Sequence, residues 1–345
     1  MNRLRGLDLA RYLAFVGMVI LNFKIAMGAQ GDSGFAALIG HLLEGRAAAT
    51  FVVLAGIGLG LAAARSDYGA TLRVILRRAA FLLVIGLLNS LIFDADILHY
   101  YAFYFLFGAL LIGLSTRQLI GSIIGLNVVF VVMILSLNYD AGWDWSALTY
   151  ANFWTPVGFI RNLFFNGWHP IIPWLAFLLV GIVLARLNLG ARKIQIQLIA
   201  WGAGAVALAE GLSLVLQPVM AAIDPELAVL VLTAPVPPMP LYMLAGTGVA
   251  LVVTGLCLRG ADRLEAVGVL GFVTPAGRQT LTLYIAHILI GMGTLEAMGR
   301  LGGQTAGQAL AAALVFCLSA TVYAWIWARV FKRGPIEAVM RKLAG

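Results

Sequence analysis

Long apolar segments constrain this chain more than any other feature of its sequence. Blocks of about twenty residues with almost no charge recur from one end to the other, and a helix of about twenty apolar residues crosses the hydrocarbon core of a bilayer. The composition agrees, since 62% of the 345 residues are hydrophobic and 11% are charged. Soluble domains carry about 25% charged residues. We therefore predict an all-α, polytopic membrane helical bundle.

About ten transmembrane helices can be drawn, and together they predict one integral-membrane domain over residues 1–345. The predicted spans are 9–28, 47–64, 74–93, 95–115, 118–138, 169–187, 194–217, 239–258, 276–295 and 306–330. The stretches 32–45 and 260–272 are amphipathic and predict interfacial helices. The longest predicted outer loop, 139–168, is rich in tryptophan, which favours an aromatic belt or a cap over a sugar-binding cavity.

The basic residues predict the orientation of the spans. With the N-terminus in the cytoplasm, four of the 23 Lys and Arg residues fall outside, and the other nineteen fall inside. The four outer residues are Lys24, Arg46, Arg161 and Arg300. This asymmetry is typical of the positive-inside rule and places both termini in the cytoplasm. The basic balance thus indicates topology and contact with membrane lipids, and we expect no nucleic-acid partner.

The histidines are the most informative polar residues. His41, His99 and His169 lie where predicted spans begin at the outer surface, whereas His287 lies about nine residues into its span. Each alone could be an interfacial or satisfied core histidine, yet an ionisable residue at membrane depth is by default a functional candidate. The two cysteines, Cys257 and Cys317, show no metal-ligand spacing, so no metal site is predicted.

Five segments in order resemble the YeiB-like family of bacterial inner-membrane proteins. They are RLRGLDLARYLAFVGMVILNF, GRAAATFVVLAGIGLGL, DILHYYAFYFLFGALL, AGRQTLTLYIAHIL and FKRGPIEAVMRKL. The third is similar to a D-I-L-x-x-Y motif, the fourth to G-R-x-x-L-T-x-Y and the fifth to G-P-[LI]-E-x-x-x-R. The family is grouped with the heparan-alpha-glucosaminide N-acetyltransferase type of transmembrane acyltransferases. His41 is similar by position to the outward histidine of those enzymes, although their tryptophan, aspartate and proline have no counterpart here.

The resemblance implies transfer of an acyl group, acetyl being the expected one, from cytoplasmic acyl-CoA to a glycan or lipid-headgroup acceptor at the outer face. A histidine can serve as the base for such transfer, and we predict His41 or His287 in that role. Substrate binding is predicted for a polar set on the outer half: His169, His99, Asp96, Arg46, Asn166 and Glu210. Binding of the acyl-CoA phosphates is predicted for charged residues at the inner mouth: Asp8, Arg11, Arg77, Arg78 and Arg278.

Two rival functions remain open at this point. A proton-coupled transporter or flippase of a small polar or lipid-linked substrate would also hold buried histidine and glutamate at mid-depth. A structural membrane protein would need neither. The acceptor, the acyl chain and a homo-oligomeric state are not specified by the sequence.

Overall fold

The computed structural model of the protein describes residues 4–29, 33–64 and 68–345. The structure is 77% helical with almost no strands, which confirms the predicted all-α class. The α-helices are α1 (Arg5–Ala26), α2 (Phe35–Leu43), α3 (Arg46–Ala63), α4 (Tyr68–Asn89), α5 (Leu98–Leu111), α6 (Thr116–Ser136), α7 (Pro156–Arg161), α8 (Ile171–Leu184), α9 (Arg192–Ile223), α10 (Pro225–Val229), α11 (Pro240–Ala266), α12 (Val269–Arg278), α13 (Thr280–Ala286), α14 (Gly293–Ala297), α15 (Ala306–Val330) and α16 (Pro335–Ala344).

Two π-helical turns and one small β-ribbon complete the regular structure of the described residues. The first π-turn, Asn162–Asn166, follows α7, and the second, His287–Met292, joins α13 to α14. In the loop after α6, β1 (Trp143–Asp144) pairs antiparallel with β2 (Thr149–Tyr150), with Trp143 opposite Tyr150. Turns of π-helix occur often at functional sites.

Each of the ten predicted spans overlaps a helical stretch. Seven stretches of the described residues are long and apolar enough to cross a membrane, and α7 with α8 makes an eighth if that pair, bent by 51°, is one span. Of the remaining two, α5 is apolar but only 14 residues long, and α4 carries three arginines in its first half. The chain is a multi-pass membrane protein, while the count of ten and the cytoplasmic termini stay predictions.

The predicted amphipathic stretches have different outcomes. The described part of 32–45 forms α2, which leaves Phe35, Leu38 and Leu42 exposed. The stretch 260–272 is instead divided between the end of α11 and the start of α12. Gly268, with φ of 77°, separates the two helices because this left-handed conformation suits glycine.

The described residues divide into two compact units, each built from separate parts of the chain. The first unit takes its residues from 1–54, 189–202 and 249–342, and the second from 55–188, 203–248 and 343–345. The helices α3, α9, α11 and α16 each contribute residues to both units. The single domain predicted over residues 1–345 stays a prediction.

Close helix packing in the first unit depends on glycines of the family-like segments. A Cβ added at Gly6 would lie 2.6 Å from the carbonyl oxygen of Cys257, and one at Gly277 would overlap the carbonyl of Asp8. Both neighbours are backbone atoms and cannot move aside. Small residues at these two positions therefore set how closely α1 approaches α11 and α12.

The two C-terminal family-like segments meet in the first unit at the start of α13. Glu337 on α16 accepts hydrogen bonds from the backbone N–H groups of Leu281 at 2.8 Å and Thr282 at 3.1 Å. Its second oxygen accepts from the Thr282 hydroxyl at 2.5 Å, and that hydroxyl accepts from Ile336 N at 3.0 Å. A carboxylate at a helix N-terminus satisfies free N–H groups and the helix dipole, so Glu337 caps α13.

In the second unit, α4 and α5 form a tight antiparallel pair. A Cβ at Gly86 of α4 would overlap the backbone nitrogen of His99, at the start of α5. This contact brings the end of α4 and the first turn of α5 together. The short loop between the two helices contains Asp96.

Candidate functional site

Asp96 in the second unit is a buried carboxylate with several donors. It is 0% exposed. One oxygen accepts a hydrogen bond from the Asn89 side-chain amide at 2.6 Å, and the other accepts from the backbone N–H of Leu98 at 2.8 Å and of His99 at 3.3 Å. Asp96 therefore caps the first turn of α5, where a negative charge is stabilised.

The same carboxylate faces the imidazole ring of His99, which is 1% exposed. Nδ1 of His99 lies 3.4 Å from Asp96 Oδ2 and 3.4 Å from the hydroxyl oxygen of Ser90. Since the carboxylate is an acceptor, this geometry indicates that Nδ1 carries the proton and points it towards Asp96. Nε2 then carries the lone pair. Nε2 is buried and has no hydrogen-bond partner among the described residues. An oriented imidazole with an open Nε2 is the arrangement of a general base.

Two more buried polar atoms without a partner lie along the same chain of aromatic rings. The His99 and Tyr100 ring centroids are 3.9 Å apart, those of Tyr100 and His169 are 5.8 Å apart, and those of His169 and Trp174 are 4.7 Å apart. Nδ1 of His169 and Nε1 of Trp174 are buried, and within the described part of the chain neither has a hydrogen-bond partner. Most buried polar groups are paired, so this cluster is the strongest candidate site of the second unit.

Asn166, a predicted substrate-binding residue, holds the 139–168 loop together. Its side-chain amide donates to the carbonyls of Tyr139 at 2.6 Å and Ala141 at 2.9 Å. Its Oδ1 accepts from the Tyr150 hydroxyl at 2.9 Å, and its backbone carbonyl accepts from Trp143 Nε1 at 2.6 Å. Asn166 is 0% exposed. The contacts described here are those of a loop anchor.

The loop itself presents stacked aromatic rings. Trp143 and Trp145 stack with centroids 4.4 Å apart, and Tyr139 stacks on Trp145 at 6.4 Å. Burial raises the pKa of the Tyr139 hydroxyl above its usual range. The Ser146 hydroxyl and then the Ala147 amide lower the pKa of the exposed Asp144 by hydrogen bonding to its carboxylate. Flat aromatic faces of this kind suit either an interfacial belt or a sugar ring.

His287 lies in the first unit and is fully buried. Its Nε2 lies 2.9 Å from the side-chain amide nitrogen of Asn22 on α1, and its Nδ1 contacts the Tyr284 carbonyl. Nδ1 therefore donates to the carbonyl, and Nε2 accepts from the amide. Both ring nitrogens are occupied by protein groups, so action as a base would require the Asn22 contact to open.

His41, also in the first unit, is exposed over 68% of its side chain. Its Nδ1 lies 3.5 Å from a carboxylate oxygen of Glu44. The Arg46 guanidinium donates to the His41 backbone carbonyl at 3.2 Å. His41 is thus accessible, as the resemblance implies, and its carboxylate partner is a surface residue.

The inner-mouth residues predicted to bind acyl-CoA are distributed over both units. Asp8 is buried and pairs with Arg11 at 3.1 Å in the first unit, where Arg278 is exposed. Arg77 and Arg78 belong to α4 in the second unit. Glu210, predicted for the outer side, accepts from the Thr233 hydroxyl at 2.9 Å within the second unit.

The first unit contains a cavity of about 520 Å³ that these predictions missed. Its lining includes Arg5, Arg192 and Arg259, together with Asp262 and Glu265. Arg5 pairs with Glu265 at 2.5 Å. The three arginines come from distant parts of the sequence, where each one reads as a topology determinant. Their convergence depends on the fold.

The comparisons with known proteins assign the chain to a family. Residues 3–214 match the family described as heparan-alpha-glucosaminide N-acetyltransferase, catalytic, and residues 186–345 match the family described as protein of unknown function (DUF418), which supports the YeiB-like resemblance. No curated protein and no solved structure matched the chain. The first match covers more than half of the chain, including His41, His99 and His169. The chain belongs to the heparan-alpha-glucosaminide N-acetyltransferase catalytic family.

Proposed function

We propose that the protein transfers an acyl group, acetyl in the simplest case, from cytoplasmic acyl-CoA to an amine or hydroxyl of a glycan or lipid headgroup at the outer face of the membrane. The family match supports an acetyltransferase-like protein that uses acyl-CoA. The observation that carries the chemistry is the buried Asp96–His99 pair with its open Nε2.

In this mechanism His99 is the general base, in place of the His41 or His287 expected from the sequence. His99 Nε2 takes the proton of the acceptor as its oxygen or nitrogen attacks the thioester carbonyl. The tetrahedral intermediate then collapses, the carbon–sulfur bond breaks, and the imidazolium returns the proton to the departing thiolate. Asp96 fixes the tautomer and stabilises the imidazolium, as an orienting carboxylate does in other acyl transfers.

We also propose that the arginine-lined cavity of the first unit binds an anionic group such as a phosphate. Arg5, Arg192 and Arg259 supply positive charge there, and the 32-residue α9 begins at Arg192, so its N-terminal amides also favour an anion. Binding of the acyl-CoA phosphates by Asp8, Arg11, Arg77, Arg78 and Arg278 remains a proposal made from the sequence. The positive-inside pattern supports a cytoplasmic position for this cavity.

The acceptor side is proposed from the outer residues. His41, His169, Arg46, Asn166 and Glu210 remain candidates for its binding. We also propose that the protein lies in a bacterial cytoplasmic membrane with both termini inside. If so, a Ser146→Cys variant should react with an impermeant maleimide in intact cells. Reaction only after the cells are opened would contradict this orientation.

The base is tested with purified protein in liposomes, using acetyl-CoA as donor and glucosamine as acceptor probe. His99→Gln should lower kcat by about 10²–10⁴-fold, while His41→Gln and His287→Gln retain turnover, with folding checked by melting. Loss of turnover in His41→Gln but not in His99→Gln would make His41 the base. Full turnover in these variants and in His169→Gln would end the histidine mechanism. Glucosamine uptake without acetylation would then favour transport.

A further inference from the structure

The three unpaired polar atoms of the His99–Trp174 ring cluster differ in what they can bind. Nε1 of Trp174 can only donate a hydrogen bond. Nε2 of His99 is an acceptor, because Nδ1 of the same ring faces the Asp96 carboxylate. Nδ1 of His169 can take either role. The cluster therefore offers both a donor and an acceptor of hydrogen bonds, which suit polar ligand atoms and give no match to apolar ones.

Neighbouring side chains fix the positions of the rings that carry these atoms. Trp174 is 0% exposed and packs edge-on against Phe177 at 5.2 Å, with Tyr242 at 5.8 Å. The Tyr104 hydroxyl donates to the backbone carbonyl of His169 at 2.5 Å. The indole N–H and the imidazole thus keep fixed directions. Donors fixed before the reaction are what makes an oxyanion site effective.

Leaving such atoms unpaired costs free energy that a purely structural cluster would avoid. A phenylalanine at position 174 would keep an aromatic ring and bury no donor. The neighbouring loop shows the structural alternative, because Trp143 satisfies its own Nε1 by donating to the Asn166 carbonyl at 2.6 Å. The unpaired N–H of Trp174 therefore indicates that a ligand atom accepts its hydrogen bond.

We propose that Trp174 is a catalytic residue whose indole N–H, aided by His169, binds the carbonyl oxygen of the acyl group while His99 faces the acceptor. This inference rests on the proposed function. When the acceptor attacks the carbonyl carbon and loses its proton to His99, the carbonyl π electrons move to that oxygen. The N–H of Trp174 stabilises the resulting negative charge. Collapse of the intermediate restores the carbonyl, expels the thiolate and transfers the proton from His99 to sulfur.

The test replaces Trp174 with 3-benzothienylalanine, which keeps the ring size and substitutes sulfur for the N–H. Transfer from acetyl-CoA to glucosamine should show kcat reduced about 10²–10³-fold, the range for loss of one oxyanion donor, with KM nearly unchanged. The melting temperature should stay level or rise, because no hydrogen bond of the resting protein is lost. The same replacement at Trp143 is the matched control. It should lower the melting temperature, because it removes the bond to Asn166. An unchanged kcat in the folded Trp174 variant would overturn the proposal.

A second measurement separates this site from the reaction itself. The indole ¹⁵N–¹H resonance of Trp174, assigned by its loss in Trp174→Phe, should shift when N-acetylglucosamine or acetyl-CoA is added at saturating concentration. If the Trp174 resonance shifts but the protein transfers no acetyl group, Trp174 still binds an oxygen atom of the ligand. That result would reject acyl transfer as the function. If neither probe shifts the resonance and the 3-benzothienylalanine variant keeps its kcat, Trp174 is not the binding site. Acyl transfer as the proposed function would be unaffected by that result.

Discussion

Two carboxylate–histidine pairs of this protein have the same sequence spacing and nearly the same separation, but opposite surroundings. His41 and Glu44 in the first unit lie 3.5 Å apart with 68% and 45% of their side chains exposed. His99 and Asp96 in the second unit lie 3.4 Å apart and are 1% and 0% exposed. Separation alone thus does not distinguish them. The difference lies in what holds each carboxylate.

The Glu44 side chain is 45% exposed, so water competes for the imidazole and the pair contributes little stability. Asp96 is held by the Asn89 amide and by two backbone N–H groups at the start of α5. Its orientation is therefore fixed by the same bonds that begin the helix. A buried, helix-capping carboxylate can direct a histidine at fixed geometry, which a surface glutamate cannot.

The largest expected effect on the free energy of unfolding comes from replacing a glycine next to each pair with alanine. Gly86→Ala should destabilise the protein by about 3 kcal/mol or more, the upper range for overpacking, because the new Cβ would overlap backbone atoms of His99 and Leu98. Gly40→Ala is the matched change beside His41. Its Cβ would lie 3.2 Å from the flexible Lys24 Cδ, so a change near zero or a gain of up to ~1 kcal/mol is expected. Thermal unfolding in detergent measures both, and equal losses would remove the contrast.

A smaller effect should follow neutralisation of the two carboxylates. Asp96→Asn should cost about 1.5–3 kcal/mol, the value of hydrogen bonds to a charged group, and it should slow transfer because His99 loses its orienting charge. Glu44→Gln should stay within ~0.5 kcal/mol, as surface changes usually do. Denaturation and initial rates are the readouts. A Glu44 variant that loses activity while the Asp96 variant keeps it would transfer the catalytic role to the exposed pair.

The smallest effect is expected at Ser90, the second group beside His99 Nδ1. Its hydroxyl donates to the Gly86 carbonyl at 2.9 Å, so towards His99 it can only accept. Ser90→Ala should cost about 0.5–1.5 kcal/mol for one hydrogen bond and should leave the rate of transfer close to that of the wild type. A loss of rate as large as that of Asp96→Asn would show that Ser90 also orients the ring.

The sequence predicted the membrane class well because apolar length is a local property. It also placed Asp96, His99 and His169 among the functional candidates, since polar residues at span ends stand out against apolar neighbours. The role proposed for Trp174 could not be predicted in this way. An indole in an apolar span is compatible with core packing, and its unpaired N–H is visible only once its neighbours are known.

The same limit explains the arginine-lined cavity and the environment of His287. Arg5, Arg192 and Arg259 are far apart in sequence and converge only in the folded first unit. His287 was predicted as a base from its depth, but Asn22, 265 residues earlier, contacts its Nε2. Periodicity reports which residues face an apolar environment. It does not report which polar partner a distant helix supplies.

The cap that Glu337 places on α13 has a consequence for biosynthesis. Thr282 and Glu337 are separated by 55 residues, so at about 5–20 residues per second the carboxylate is synthesised roughly 3–11 s after the helix that it caps. During that interval, the first N–H groups of α13 lack this partner. The segment that carries His287 can thus complete its native contacts only when translation is almost finished. Correct folding of this segment therefore depends on synthesis of the last helix. A chain that terminates before residue 337 would leave α13 uncapped and exposed to proteolysis.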